Sequence, residues 1–125
     1  MIADTTFLIH FHREGLAGQR GPARTFFAAH RQAQIRTSIV SLGEIASGFG
    51  VSWEAWDYFK RWTVLPLHRG VAEAAADVDR EMMAIGQRLG ENDNWIAGFC
   101  RYHRQPVISL DAAFDRVPGL RRLAY

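Results

Sequence analysis

Val107-Ile108-Ser109-Leu110-Asp111 is the stretch that decides the fold. Gln105-Pro106 breaks the helical pattern before it, and Val107 to Leu110 is a short apolar run suited to a buried strand. Asp111 ends that run and opens a short turn of helix, followed by Val117-Pro118-Gly119-Leu120 and an edge strand over Leu123 to Tyr125. Upstream, a helix beginning near Asn92 buries Trp95, Ile96, Phe99 and Cys100. Before it, Val71, Ala75, Val78, Met82, Ile85 and Leu89 recur at alternating steps of four and three, the seam of a long helix against one neighbour, with Gly90 ending it. Thr63-Val64-Leu65-Pro66-Leu67 reads as a third strand and Ile35 to Ile39 as a second, with Ser38 or Ser41 capping the helix that follows. That helix carries Leu42, Ile45, Ala46 and Phe49, and Gly48 and Gly50 close it. Ile2-Ala3 is a very short first strand. Phe7, Leu8 and Phe11 then follow at helical spacing, and a loop from Gly15 to Gly21 leads to a helix opened by Pro22. Strands alternating with helices predict an α/β domain: three layers, α/β/α, with a short, mainly parallel sheet of four to five strands.

The composition agrees. The 125 residues suffice for one domain, 1–125, with a proper core. Apolar residues are 48% and charged residues 22%, which excludes disorder, collagen-like repeats and a disulfide scaffold. Cys100 is the only cysteine, so no intrachain disulfide or Cys-based zinc site is available. No apolar run approaches the ~20 residues of a membrane span. Asp4 stands where a signal peptide would be basic, so a cytoplasmic protein is expected. Lys plus Arg total 15 against 13 acids, a net charge of +2, and Lys60 is the only lysine.

The carboxylates carry the chemistry. In an open parallel sheet, ligands bind beyond the C-terminal strand ends. Asp4 follows the first strand and Asp111 the strand at 107–110. Asp93 lies in the first turn of a helix, and Glu44 lies one turn into the helix after the second strand. Two unit charges 4 Å apart repel by about 4 kcal/mol at an effective dielectric of 20, so four converging acids are costly without a cation. All-oxygen donors select Mg²⁺ or Mn²⁺, which suit phosphodiester hydrolysis. The competing reading makes Asp4, Asp93 and Asp111 helix N-caps. Glu44 lies opposite the apolar stripe of its helix, where a solvated residue would be.

Four segments resemble PIN-domain ribonucleases, and within them the VapC-like toxins of bacterial toxin–antitoxin pairs. They are Ile2-Ala3-Asp4-Thr5-Thr6-Phe7-Leu8-Ile9, Thr37-Ser38-Ile39-Val40-Ser41-Leu42-Gly43-Glu44-Ile45, Asn92-Asp93-Asn94-Trp95-Ile96-Ala97, and the run from Ser109 to Leu120. The resemblance spans nearly the whole chain. It implies Asp4, Glu44, Asp93 and Asp111 as the acidic catalytic and metal-binding set, with Thr5, Thr6 and Ser109 as polar support. It further implies Mg²⁺- or Mn²⁺-dependent cleavage of RNA (tRNA among the substrates to test), a homodimer, and inhibition by a small cognate antitoxin. Where many relatives carry one more acid, this chain has Ala113, which favours a single ion.

Other residues fit less specific roles. Arg13, Arg20, Arg24, Arg101 and Arg104 are candidates for RNA phosphates or for a solvated face. His10 and His12 fall about 200° apart on a helix and cannot share an ion, which leaves them as surface or loop residues. The aromatic stretch Trp53 to Trp62 is expected to be about half core, with the rest a dimer surface or an antitoxin groove. Two other functions compete: a catalytically inactive PIN-like module that binds a partner or nucleic acid, and a haloacid-dehalogenase-like phosphatase. The phosphatase would need an Asp where Thr6 stands and a later Lys, whereas Lys60 lies in the aromatic stretch. If four of the acids share one site, the remaining surface holds 15 cations against nine acids.

Overall fold

Five strands form one sheet: β1 (Ile2–Ala3), β2 (Arg36–Ser38), β3 (Thr63–Leu65), β4 (Val107–Ile108) and β5 (Arg122–Leu123), in the order β3-β2-β1-β4-β5. The computed structural model describes residues 1–50 and 52–125, with Ser52 by its backbone alone. Every strand pairing is parallel. Six helices connect them: α1 (Thr5–Leu16), α2 (Pro22–Ala29), α3 (Ile39–Ala46), α4 (Ser52–Phe59), α5 (Arg69–Ala84) and α6 (Glu91–His103). A single 3₁₀ turn, Ala112–Arg116, lies between β4 and β5.

Strand alternation sorts side chains between two cores. Ile2 and Val107 enter one core with Val71, Val78 and Met82 of α5, Ile96 and Phe99 of α6, and Phe114. Ala3 and Ile108, the next residues along, enter the other with Phe7 and Leu8 of α1, Ala23 of α2 and Phe59 of α4. The sheet is thus covered on both faces at its centre, which is why β1 and β4 are apolar and fully buried.

The elements match expectation, but several ends move. β2 is shorter than the expected Ile35–Ile39 because the Ser38 hydroxyl accepts from the Ser41 N–H at 3.1 Å and starts α3 at Ile39. β3 stops at Leu65, before Pro66, which has no N–H for a ladder. The long helix ends at Ala84 and not at Gly90. Gly86, at φ +67°, turns the chain, and Gln87 N–H reaches back to Met82 O at 2.9 Å. Ile85 therefore leaves the seam and is exposed, while Val71, Ala75, Val78 and Met82 stay buried. Gly90 instead caps the start of α6. Gly98 lets α6 approach α5 closely: a Cβ there would lie 2.6 Å from the Ala75 Cβ and 2.8 Å from its Cα.

Candidate functional site

The strand order reverses between β1 and β4, and the crevice beyond their C-terminal ends is where open α/β sheets hold ligands. Ala3 pairs with Ile108 in register, and the Asp4 N–H continues the ladder to the Ile108 carbonyl at 3.1 Å. Asp4 is thereby brought to the Ser109 end of β4. Asp4 caps α1: its Oδ1 accepts from the Phe7 N–H at 2.7 Å. Asp111 caps the 3₁₀ turn in the same way, Oδ1 accepting from the Ala113 N–H at 2.7 Å. Each cap occupies one carboxylate oxygen, so capping and a place in the acidic group are compatible. Asp93 lies in the first turn of α6 but does not cap it. Among the described residues it finds no hydrogen-bond donor.

Glu44 belongs to the same edge, contrary to its position on the helical wheel. The Thr5 hydroxyl donates to its Oε2, and the Asn92 amide donates to its Oε1 at 2.7 Å. Glu44 thus ties α3 to the start of α1 and the start of α6. Asn92 is the residue that spacing arguments overlooked, although it immediately precedes Asp93. Thr6 is exposed and takes no part in these bonds.

Asp93 and Asp4 feel their acidic neighbours. Burial raises the Asp93 pKa above its ordinary value, and the charges of Asp111, Glu44 and Asp4 raise it further. Burial likewise raises Asp4, with Asp111 adding to it. The Ser109 hydroxyl, the Phe7 N–H and His10 oppose that rise. Ser109 is fully buried and accepts the Asp111 N–H at 2.9 Å, which leaves its own proton for Asp4. His10 is half-buried on α1, its Nδ1 2.9 Å from the Tyr125 hydroxyl. His12 packs edge-on against Tyr58, with ring centroids 4.7 Å apart.

Among the described residues, no three His, Cys, Asp or Glu side chains stand close enough to hold an ion as they are. The donor chemistry nevertheless fits a hard divalent cation. All four groups are carboxylates, Asp4 and Asp111 each keep an oxygen free of the cap, and Asp93 lacks any compensating donor. Mutual repulsion spreads such a set, and a cation between them would reverse the sign of that force.

The arginines divide. Arg13 and Arg20 are exposed. Arg24 is committed to the packing of α1 on α2, with its guanidinium 4.6 Å above the Phe11 ring and its Nε donating to the Phe11 carbonyl. Arg101 pairs with both oxygens of Glu81 at 2.8 Å. Arg104 ends α6, eleven positions after Asp93, or about 16 Å along the helix axis. Of the aromatic stretch, Phe59 is buried, Tyr58 and Trp62 are half-buried, and Trp53 and Trp56 are 69% and 61% exposed. Beside it, α1, α2 and α4 enclose a groove of about 780 Å³, lined by Phe11, Phe27, Tyr58 and Trp62 among others.

A family model described as PIN domain matches residues 1–120. No curated protein matches the chain. Solved structures share its fold. A chain of the DNA-bound VapBC complex from Salmonella typhimurium superposes with a TM-score of 0.81 at 20% identity, over 98% of this chain and 96% of that one. A chain of VapBC2 from Rickettsia felis, bound to a promoter DNA fragment, gives 0.80 at 14% identity over the same shares, 98% and 96%. A chain of a toxin–antitoxin complex from Klebsiella pneumoniae gives 0.70 at 20% identity over 95% and 93%.

Proposed function

The chain belongs to the PIN domain family, and from that membership we propose that it is a metal-dependent endoribonuclease toxin held in check by a cognate antitoxin. The observation that carries this reading is electrostatic. At the switch point of a parallel sheet, the charges of Asp111, Glu44 and Asp4, from three other segments of the chain, all raise the pKa of Asp93.

Asp4, Glu44 and Asp93 would hold one Mg²⁺ or Mn²⁺, with Asp111 as an outer contact or the ligand of a second ion. When bound, such an ion supplies charge stabilisation at the scissile phosphate and lowers the pKa of its water. The chain's own groups do the rest. Thr5 and Asn92 orient the Glu44 carboxylate, and Ser109 and the Phe7 N–H orient Asp4. A carboxylate whose pKa is raised, Asp93 or Asp4, is suited to take a proton from the attacking water near neutral pH. RNA phosphates meet a surface rich in arginine, Arg13 and Arg20 being the exposed cations of the first loop.

That the similar solved structures include toxin–antitoxin complexes supports a small protein antitoxin as partner. Trp53, Trp56 and the groove beside them give it an aromatic surface, and a second copy of the chain would complete a homodimer in the cytoplasm.

The test is cleavage of total RNA and of tRNA in Mg²⁺ and in Mn²⁺, wild type against Asp4→Ala. Loss of several kcal/mol of transition-state stabilisation predicts a fall of about a thousandfold or more. Absence of cleavage by the wild type in either metal would overturn the nuclease reading and leave a catalytically inactive binding module.

A further inference from the structure

The edge of the sheet opposite the acids carries its own cleft. It has a volume of about 450 Å³ and lies where α6 ends and β4 and β5 begin, lined by Arg101, Arg104, Gln105, Gly119 and Arg121 among others. No carboxylate lines it. Arg101 is already neutralised by Glu81 and also donates to the Pro118 carbonyl at 2.9 Å. Among the described residues, Arg104 and Arg121 have no acidic partner. The cleft is therefore lined by two arginines without an acidic partner, and an anion seated in it would be drawn to both.

Arg104 is also held in a costly conformation. It is the one non-glycine residue with positive φ among those described, at φ 52° and ψ 45°, and it caps the C-terminus of α6. That left-handed position ordinarily goes to Gly or Asn. Here it fixes the root of a long cationic side chain at the cleft mouth. The amide of Gln105, next in the chain, is anchored to the Cys100 carbonyl at 2.9 Å, so the root is rigid.

We propose that the Arg104–Arg121 cleft is a phosphate-binding site, separate from the acidic edge. Guanidinium groups bind phosphate oxygens through paired N–H donors, and a cleft of this size accommodates a mononucleotide or one step of a nucleic-acid backbone. The shared chemistry is the phosphate group. Its source is either the terminal phosphate of a free nucleotide or the phosphodiester backbone of RNA. The inference does not need the chain to cleave anything.

Arg104→Gly separates the functional role from a structural one. Glycine accepts the same backbone conformation without strain, so it should raise the melting temperature by about 4 °C while removing the cation. The probes are 5′-AMP and a ten-nucleotide poly-U RNA, added in EDTA so that neither metal nor cleavage intervenes. Backbone amide NMR shifts of Gln105, Gly119 and Arg121 report occupancy. We expect at least one probe to shift all three amides, and Arg104→Gly and Arg121→Ala to weaken its binding at least fivefold. Shifts with AMP assign a nucleotide, and shifts with the RNA alone assign the backbone. Overturning results are no shift with either probe, or wild-type affinity in both variants. A protein that binds phosphate here but cleaves no RNA in Mg²⁺ or Mn²⁺ would overturn the nuclease reading alone.

Discussion

The Thr5 hydroxyl donates to Oε2 of Glu44 across 39 residues of sequence. This bond joins the helix after β1 to the helix after β2, and it aims a carboxylate that helical periodicity assigns to solvent. Thr5→Val keeps the shape and removes the donor. Cation affinity should fall about 10- to 100-fold, as for other groups that orient a ligand, with a stability loss of about 1 kcal/mol. Mg²⁺ titration followed by tryptophan fluorescence, beside urea unfolding, checks both. An unaltered Mg²⁺ affinity would remove Thr5 from the site.

Asp93 links stability to pH. Burial and three acidic neighbours raise its pKa in the fold, so the fold holds this proton more tightly than the unfolded chain does. The stability it contributes is complete below the unfolded value and is lost as pH rises through the folded one. Asparagine does not titrate. In EDTA, Asp93→Asn should therefore gain on the wild type as pH rises from the ordinary aspartate value through the raised folded one. Saturating Mg²⁺ should shrink or reverse that gain, because only the wild type gains a ligand's charge. Thermal melts across pH, with and without Mg²⁺, measure it. A flat difference in EDTA would show that the acids do not crowd one another.

Gly98→Ala tests the contact of α5 with α6. The added methyl would meet the backbone of Ala75 at 2.8 Å, so one helix must move. The cost should be about 1–3 kcal/mol, read as a lower urea midpoint with an unchanged slope. Because Asp93 starts α6, the shift should also weaken Mg²⁺ binding.

Cys100 should be inert while the chain is folded. It is buried, and that burial pushes its thiol pKa well above the free value, so little thiolate is available. Labelling by a disulfide reagent should follow the unfolding rate and not the reagent concentration. Rapid native-state labelling would show that α6 opens locally.

Much of this was legible in the residues. Alternating strands and helices, the parallel sheet, and Asp4 and Asp111 at strand ends follow from apolar runs and breakers. Asp4 and Asp111 needed no choice between cap and acidic group, since a carboxylate has two oxygens and the cap uses one. Glu44 was not legible from its own helix, because its partners Thr5 and Asn92 come from other elements. The end of α5 was misread because Gly86 and Gly90 are both plausible stops, and only the backbone angle at Gly86 distinguishes them. Arg24 and Arg101 looked free in sequence. Their partners, Phe11 and Glu81, become neighbours only through packing.

The register of Ile2 against Val107 has a consequence in time. β1 lies at the centre of the sheet, and one of its two neighbours is made more than a hundred residues after it. At about 5–20 residues per second, the ribosome carries an unpaired central strand for several seconds. Asp4 is made long before Asp111, and the acidic edge does not exist until Asp111 has emerged. A chain interrupted anywhere before β4 would hold at most three of the four acids and no edge on which to gather them. For a protein whose proposed activity is to cut RNA, the sheet order itself delays that activity until β4 and Asp111 have been made.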